Sequence, residues 1–202
     1  MEQLIEGYRR FRAGRWPEQR ALYRKLASHG QAPPTMVIAC SDSRVDPATI
    51  FDAGPGELFI IRNVANLAPP FESGGVYHGA SAAIEFAVCV LKVKQILVLG
   101  HAQCGGCAAA LHDDPGAGTY FLAPWLRMLE KAKARIEGAA EDRQSALEYE
   151  SIRVTLENLL TFPFVRSAVA AQKLSLAGAR FGVADGVLEV MDANSGQFRP
   201  VD

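Results

Sequence analysis

The 202-residue sequence has almost no net charge, no long apolar run and few cysteines, and each scarcity closes off a class of function. Its 21 basic and 22 acidic residues leave a formal charge of −1, so no electrostatic reason exists to expect nucleic acid or an anionic membrane as partner. Lys92 and Lys94, and the run Lys131, Lys133, Arg135, are sparse enough to be solvated faces. The most apolar stretch, Ala80 to Val93, contains Glu85 and Lys92 and is too short to span a bilayer. Near the N-terminus Glu2, Glu6, Arg9, Arg10 and Arg12 interrupt the chain before an apolar region builds, so no secretory signal is expected and the cytoplasm is the expected location. In that setting the four cysteines, Cys40, Cys89, Cys104 and Cys107, read as thiols or metal ligands rather than disulfides. There is no internal repeat, no low-complexity linker and no G-x-G-x-x-G fingerprint.

What is present is a composition that is 49% hydrophobic, enough for one domain over residues 1–202 with a sizeable core. Residues 1 to 29 carry apolar positions at helical spacing (Leu4, Ile5, Tyr8, Phe11, then Leu22 and Leu26), broken near Trp16-Pro17. Thr35 to Ala39, Leu58 to Arg62 and Gln95 to Gly100 read as short strands, the first and third fully apolar in their centres. Ala80 to Val90 reads as a buried helix, and Cys107 to Leu111 as the start of another. Asp113 to Gly118 is rich in turn residues. Trp125 to Ala139, Ser151 to Leu160 and Val165 to Leu174 are helical, and residues 180 to 199 suggest a terminal hairpin. Strands alternating with helices predict an α/β fold, a central mostly parallel sheet flanked by helices, with an N-terminal helical arm.

Two segments carry chemistry. Cys40-Ser41-Asp42-Ser43-Arg44 follows the apolar run Met36 to Ala39, and His101-Ala102-Gln103-Cys104-Gly105-Gly106 follows Ile96 to Gly100. Open parallel sheets place ligands at the carboxyl ends of their strands, where both segments fall. Each residue alone is best read as an ordinary core cysteine or a satisfied histidine. Three of them converging reverse that preference. Two cysteines and one histidine suit Zn²⁺, and three protein ligands leave a fourth position for water, the mark of a catalytic site. Asp42 would orient that water and Arg44 would hold Asp42 off the metal by a bidentate contact. With that contact broken, Asp42 could itself become a fourth ligand and shut the site. In isolation, the first segment would be only a polar turn with Asp42 as a cap.

The arrangement resembles the β-class carbonic anhydrases. The likeness runs from about Gln31 to Leu111, through Cys40 to Arg44, Pro55-Gly56-Glu57, Arg62-Asn63-Val64-Ala65-Asn66 and Gly100 to Gly106. The resemblance implies one zinc per chain held by Cys40, His101 and Cys104, an Asp42/Arg44 dyad, and reversible hydration of CO₂ to bicarbonate and a proton. It also implies a homodimer or larger homo-oligomer, with residues 1–30 as an arm used in dimerisation. Within the family the chain is similar to the plant-type branch. There Gln31 occupies a substrate-donor position often supplied across the dimer interface, Phe59 and Val64 belong to the apolar CO₂ pocket, and the Gly105 N–H looks toward substrate oxygens. Phe86 stands where that branch carries a tyrosine, so a hydroxyl contact is missing. The other branch has a regulatory bicarbonate site built on a tryptophan, here Val37, so that site is expected to be absent although its arginine matches Arg62. Cys107 departs from the usual aliphatic residue and is expected, like Cys89, to be a small buried hydrophobe. His29, His78 and His112 are candidate proton carriers, with nothing to choose between them.

Three other readings compete. A carbon disulfide or carbonyl sulfide hydrolase would share the ligands and the dyad. A thiol oxidoreductase would use Cys104-Gly105-Gly106-Cys107 as a C-x-x-C pair, at odds with assigning Cys104 to zinc. A zinc-stabilised binding protein would need neither Asp42 nor Arg44.

Overall fold

The computed structural model describes residues 1–74, 78–112, 120–138 and 142–201. The chain begins with α1 (Glu2–Ala13) and α2 (Arg15–His29), which meet at Gly14. Pro17 lies in the first turn of α2, where a missing N–H costs nothing. Phe11, Trp16 and Tyr23 close the elbow through edge-on and tilted ring contacts. Neither helix buries a residue, and α2 touches the body where Leu26 lies over Gly56.

The body then runs through β1 (Thr35–Cys40), the short α3 (Pro47–Ile50), β2 (Leu58–Asn63), α4 (Gly79–Glu85) with a π-helical continuation over Phe86–Leu91, and β3 (Gln95–His101). Beyond it lie α5 (Gly105–Leu111), α6 (Leu122–Leu126), α7 (Glu130–Arg135), α8 (Arg143–Leu159) and α9 (Pro163–Ala170). β4 (Ser175–Phe181), β5 (Leu188–Met191) and β6 (Phe198–Pro200) complete the chain. The sheet order is β2-β1-β3-β4-β5-β6, with the first four strands parallel and the last two antiparallel. The expected α/β architecture is therefore the observed one.

Strands β1 and β3 are apolar throughout because both their faces are covered. Met36, Ile38, Ile96 and Val98 pack with Ile84, Ile152, Leu159, Phe162 and Val165, while Val37, Ala39, Leu99 and Ala179 point the other way, toward Ile50 and Phe51. A third cluster, including Val45, Leu67, Cys107, Leu126, Leu129 and Leu147, fills the space around α5. Helix α8 presses on β3 so closely that a Cβ at Gly100 would stand 2.7 Å from the Ile152 Cδ1, which is why that position has no side chain.

Several expectations are corrected in detail. Residues 80 to 90 are not a uniformly buried helix: α4 ends at Glu85, the π-turn follows, and only Ile84 and Ala87 are buried. Cys89 is exposed, on the outer side of that turn, whereas Cys107 is fully buried. The helix expected from Trp125 begins at Leu122, tightens to 3₁₀ over Arg127–Leu129 and ends at Arg135. The helix expected from Ser151 starts eight residues earlier, at Arg143, where Asp142 caps it by accepting from the Ser145 N–H. The single terminal hairpin is two successive turns joining β4, β5 and β6. The turn-rich residues 113 to 118 lie outside the described residues.

Candidate metal centre

The strand order reverses at β1, where β2 lies on one side and β3, the next strand in the chain, on the other, and an α/β sheet opens a crevice at such a point beyond the strand carboxyl ends. Cys40 is the last residue of β1 and His101 the last of β3. Ala39 pairs with Leu99, so the two ligand-bearing ends lie side by side. Between His101 and the third donor the chain must turn sharply. Gln103 does this with φ of 56°, in the left-handed region, and Cys104 then stands at the N-cap of α5. Gly106 lets that helix lie against the 3₁₀ turn Val64–Asn66 that follows β2, since a Cβ there would come within 2.8 Å of Val64 Cγ1.

The donor atoms of Cys40, His101 and Cys104 all lie within 4.8 Å of one another, and all three residues are buried. The two sulfurs are 3.9 Å apart. Two Zn–S bonds of about 2.3 Å at a tetrahedral angle would hold sulfurs about 3.8 Å apart, so the spacing fits the ion. His101 Nδ1 lies 2.8 Å from the Ala102 carbonyl, which fixes its proton on Nδ1 and leaves Nε2 as the free lone pair. That Nε2 is buried with no hydrogen-bond partner, a cost that coordination of a metal would remove. Without a cation the donors oppose ionisation. The Cys40 thiol is pushed up to about 12, first by its hydrogen bond with Cys104 and then by burial. Cys104 is also raised to about 12, chiefly by its bond with Cys107. Burial opposes the charged form of His101, but the neighbouring Cys40 sulfur outweighs it and the net shift is upward. A divalent cation among these atoms would displace the thiol protons and turn crowding into coordination.

Asp42 and Arg44 form a bidentate pair beside the three donors. Arg44 Nε donates to Asp42 Oδ1 at 2.9 Å, and the terminal nitrogen to Oδ2 at 2.7 Å and to the Gln103 carbonyl at 3.0 Å. The arginine contact holds the Asp42 carboxyl well below the usual carboxylate range. Arg62, the arginine that matched an anion site, is spent on the backbone: it donates to the carbonyls of Cys40 and Asp42 and pairs with Asp46. Val37 is fully buried in the sheet core. Val64 borders a hollow of about 450 Å³, next to Ser41, Asn63, Phe121, Leu122 and Trp125, whose indole N–H donates to the Val64 carbonyl. Gly105, exposed, opens α5, so its N–H has no partner within the helix.

Other expected site residues lie elsewhere. Phe59 is in register with Met36, four residues before Cys40, and Phe86 packs against it with ring centres 5.8 Å apart. Gln31 is exposed ahead of β1. Strand rise of about 3.3 Å per residue puts Phe59 about 13 Å along the sheet from the ligand end. His29, His78 and His112 are exposed. Gln103 lies inside the second motif with no role read for it, and nothing in the sequence pointed to Trp125, Glu148 or Arg180 as part of the site. The Gln103 carbonyl receives Arg44, Trp125 and Glu148 bond to the Val64 carbonyl and the Cys104 N–H, and Arg180 holds Glu148 side chain to side chain.

A family model described as carbonic anhydrase matches residues 35–188. The chain is 35% identical over 200 residues to beta carbonic anhydrase 3 of Arabidopsis thaliana, covering 95% of this chain and 77% of that protein. The solved structure of the β-carbonic anhydrase CcaA superposes with a TM-score of 0.92 at 33% identity, over 100% of this chain and 99% of that one. A structure from two tetrameric β-carbonic anhydrases of Sordaria macrospora gives 0.84 at 29% identity, over 95% and 96%.

Proposed function

This chain belongs to the β-carbonic anhydrase family, and from that premise we propose that it hydrates CO₂ reversibly at the crevice between β1 and β3. It is a zinc lyase, and Cys40, His101 and Cys104 are the proposed ligands. The observation that carries this reading is three buried soft donors, one with an orphaned lone pair, next to an ion-paired carboxylate. When bound, Zn²⁺ supplies the Lewis acidity that makes water nucleophilic near neutral pH.

The chain's own residues do the rest. The Asp42 carboxylate accepts a hydrogen bond from the attacking water and fixes the direction of its remaining lone pair. Its lowered pKa keeps it an acceptor throughout the neutral range. Arg44 turns the carboxylate away from the donors, and the Gln103 carbonyl holds Arg44 in place. Val64, which borders the apolar hollow, limits water on that side, and the Gly105 N–H, without a partner within α5, stabilises negative charge on the product oxygens.

Gln31, Phe59 and Phe86 act on substrate from a second copy of the chain, in a homodimer or larger assembly. Their distance from the ligands supports this, as do the exposed Phe86 and the unburied faces of α1 and α2. The reading as a C-x-x-C oxidoreductase is disfavoured because Cys104 and Cys107 are both buried, out of reach of a protein disulfide. The proposed setting is the cytoplasm, supported by four free cysteines. Among the described residues no helix is long and apolar enough to cross a membrane. Stopped-flow CO₂ hydration by zinc-loaded protein, abolished by a chelator, is the test, with carbonyl sulfide and carbon disulfide assayed in parallel. Fully loaded protein that hydrolyses only the sulfur compounds would overturn the substrate.

A further inference from the structure

Among the described residues Glu148 is the one acidic side chain in the core, 2% exposed. It stands on α8, and its two oxygens are divided between two tasks. Oε1 accepts the backbone N–H of Cys104 at 3.0 Å and lies 3.4 Å from the Gln144 side-chain amide. Oε2 accepts two bonds from Arg180, at 2.8 and 3.2 Å. Arg180 is itself held by Ser145, Tyr149 and Glu189, with its guanidinium 4.6 Å over the Tyr149 ring. On β4, Arg180 pairs with Gly100, and the next pair in the register is His101 with Phe181.

A buried ion pair is a poor source of net stability, because desolvation cancels most of the attraction. Its geometric effect here is specific. A single carboxylate ties together the helix α8, the strand beside the histidine ligand, and the backbone of the cysteine ligand. Metal-ligating histidines commonly lean on a carboxylate through their second nitrogen, whereas here that nitrogen is at the Ala102 carbonyl and the carboxylate serves the thiol ligand instead. We infer that Glu148, braced by Arg180, is a positioning residue that sets the place of the Cys104 sulfur in the metal site. The inference rests on reading Cys40, His101 and Cys104 as the zinc ligands.

Full-length Glu148→Gln, Glu148→Ala and Arg180→Lys proteins test it by two readouts, zinc affinity in competition with a chromophoric chelator and the absorption spectrum of the cobalt-substituted protein. The amide keeps an acceptor for the Cys104 N–H, so Glu148→Gln should bind zinc about tenfold more weakly and Glu148→Ala about 100-fold, the span typical of groups that orient ligands. The sulfur-to-cobalt band should shift in the same order. Arg180→Lys, which keeps the charge and loses the fork, should behave like Glu148→Gln and decides the matter if the alanine protein does not fold. Unchanged affinity and an unchanged band, with only a lowered melting temperature, would show a structural role and overturn the inference. A parent protein that takes up no zinc would break the ligand reading instead.

Discussion

The two ends of the parallel sheet are built on opposite plans. At the carboxyl end one chain supplies everything the metal needs: three buried donors, an ion pair beside them and a carboxylate behind them. Toward the amino end Gln31 and Phe86 are exposed, and the rings of Phe59 and Phe86 lie tilted against each other with centres 5.8 Å apart. A metal tolerates no error in donor placement, so its donors sit on rigid elements of one core. An apolar substrate wall tolerates more, and can be completed by a surface that arrives from another copy.

Removing a donor should break the first plan outright. Cys104→Ala is expected to lose nearly all zinc, and with it activity, by metal analysis; full zinc occupancy would refute the ligand assignment. Asp42→Asn should keep its zinc and lose about 10²–10⁴-fold in hydration rate, because an amide donates where an acceptor is needed. The sign of the pH effect follows from the lowered Asp42 pKa: its pairing with Arg44 is intact above the ordinary carboxylate range and is lost only as pH falls through the depressed value. Parent and Asp42→Asn melting temperatures should therefore differ by a constant amount from pH 6 to 9 (~3 pH units of plateau).

Sharing across copies is broken by a mixture. Phe59→Ala and Asp42→Asn proteins, each impaired alone, should recover roughly a quarter of parental sites after subunit exchange, since a mixed twofold pair contains one site with both native residues. No recovery, with exchange verified by mass, would place Phe59 outside the partner's site. Zinc binding to the metal-free protein should release at least about two protons at neutral pH, one from each raised thiol and a further fraction from His101, whose pKa is also raised, and fewer as the pH approaches the thiol values. Calorimetry in buffers of different ionisation enthalpy measures this. The smallest effect is expected at Cys107→Ala: unchanged zinc and activity, with about 1 kcal/mol lost on denaturant unfolding from the small cavity.

The parallel sheet and the metal donors were legible because both depend on local signals. Apolar runs mark β1 and β3, and Cys40 and His101 stand at their ends. Pairings between distant segments were not legible. The apolar spacing shows a helix only from Ser151, whereas α8 begins at Arg143 and carries Glu148 into the core, where Arg180, 32 residues on, pairs with it. Cys89 resembles Cys107 in its apolar neighbours, yet the π-turn rotates it outward. Arg62 carried the right side chain for an anion site, but its Nε and one terminal nitrogen donate to the Cys40 and Asp42 carbonyls and the other terminal nitrogen pairs with Asp46.

The bare backbone at Gly100 narrows the paths by which this protein can drift. Adding even a methyl group drives into Ile152, and Ile152 is one turn along α8 from Glu148. Variation at a site with no chemistry of its own would thus cost stability in the core and reach the metal site through the same helix. Lineages that changed Gly100 would need a smaller residue at 152 first, so the two positions should be inherited as a pair and the order of their replacement should run one way.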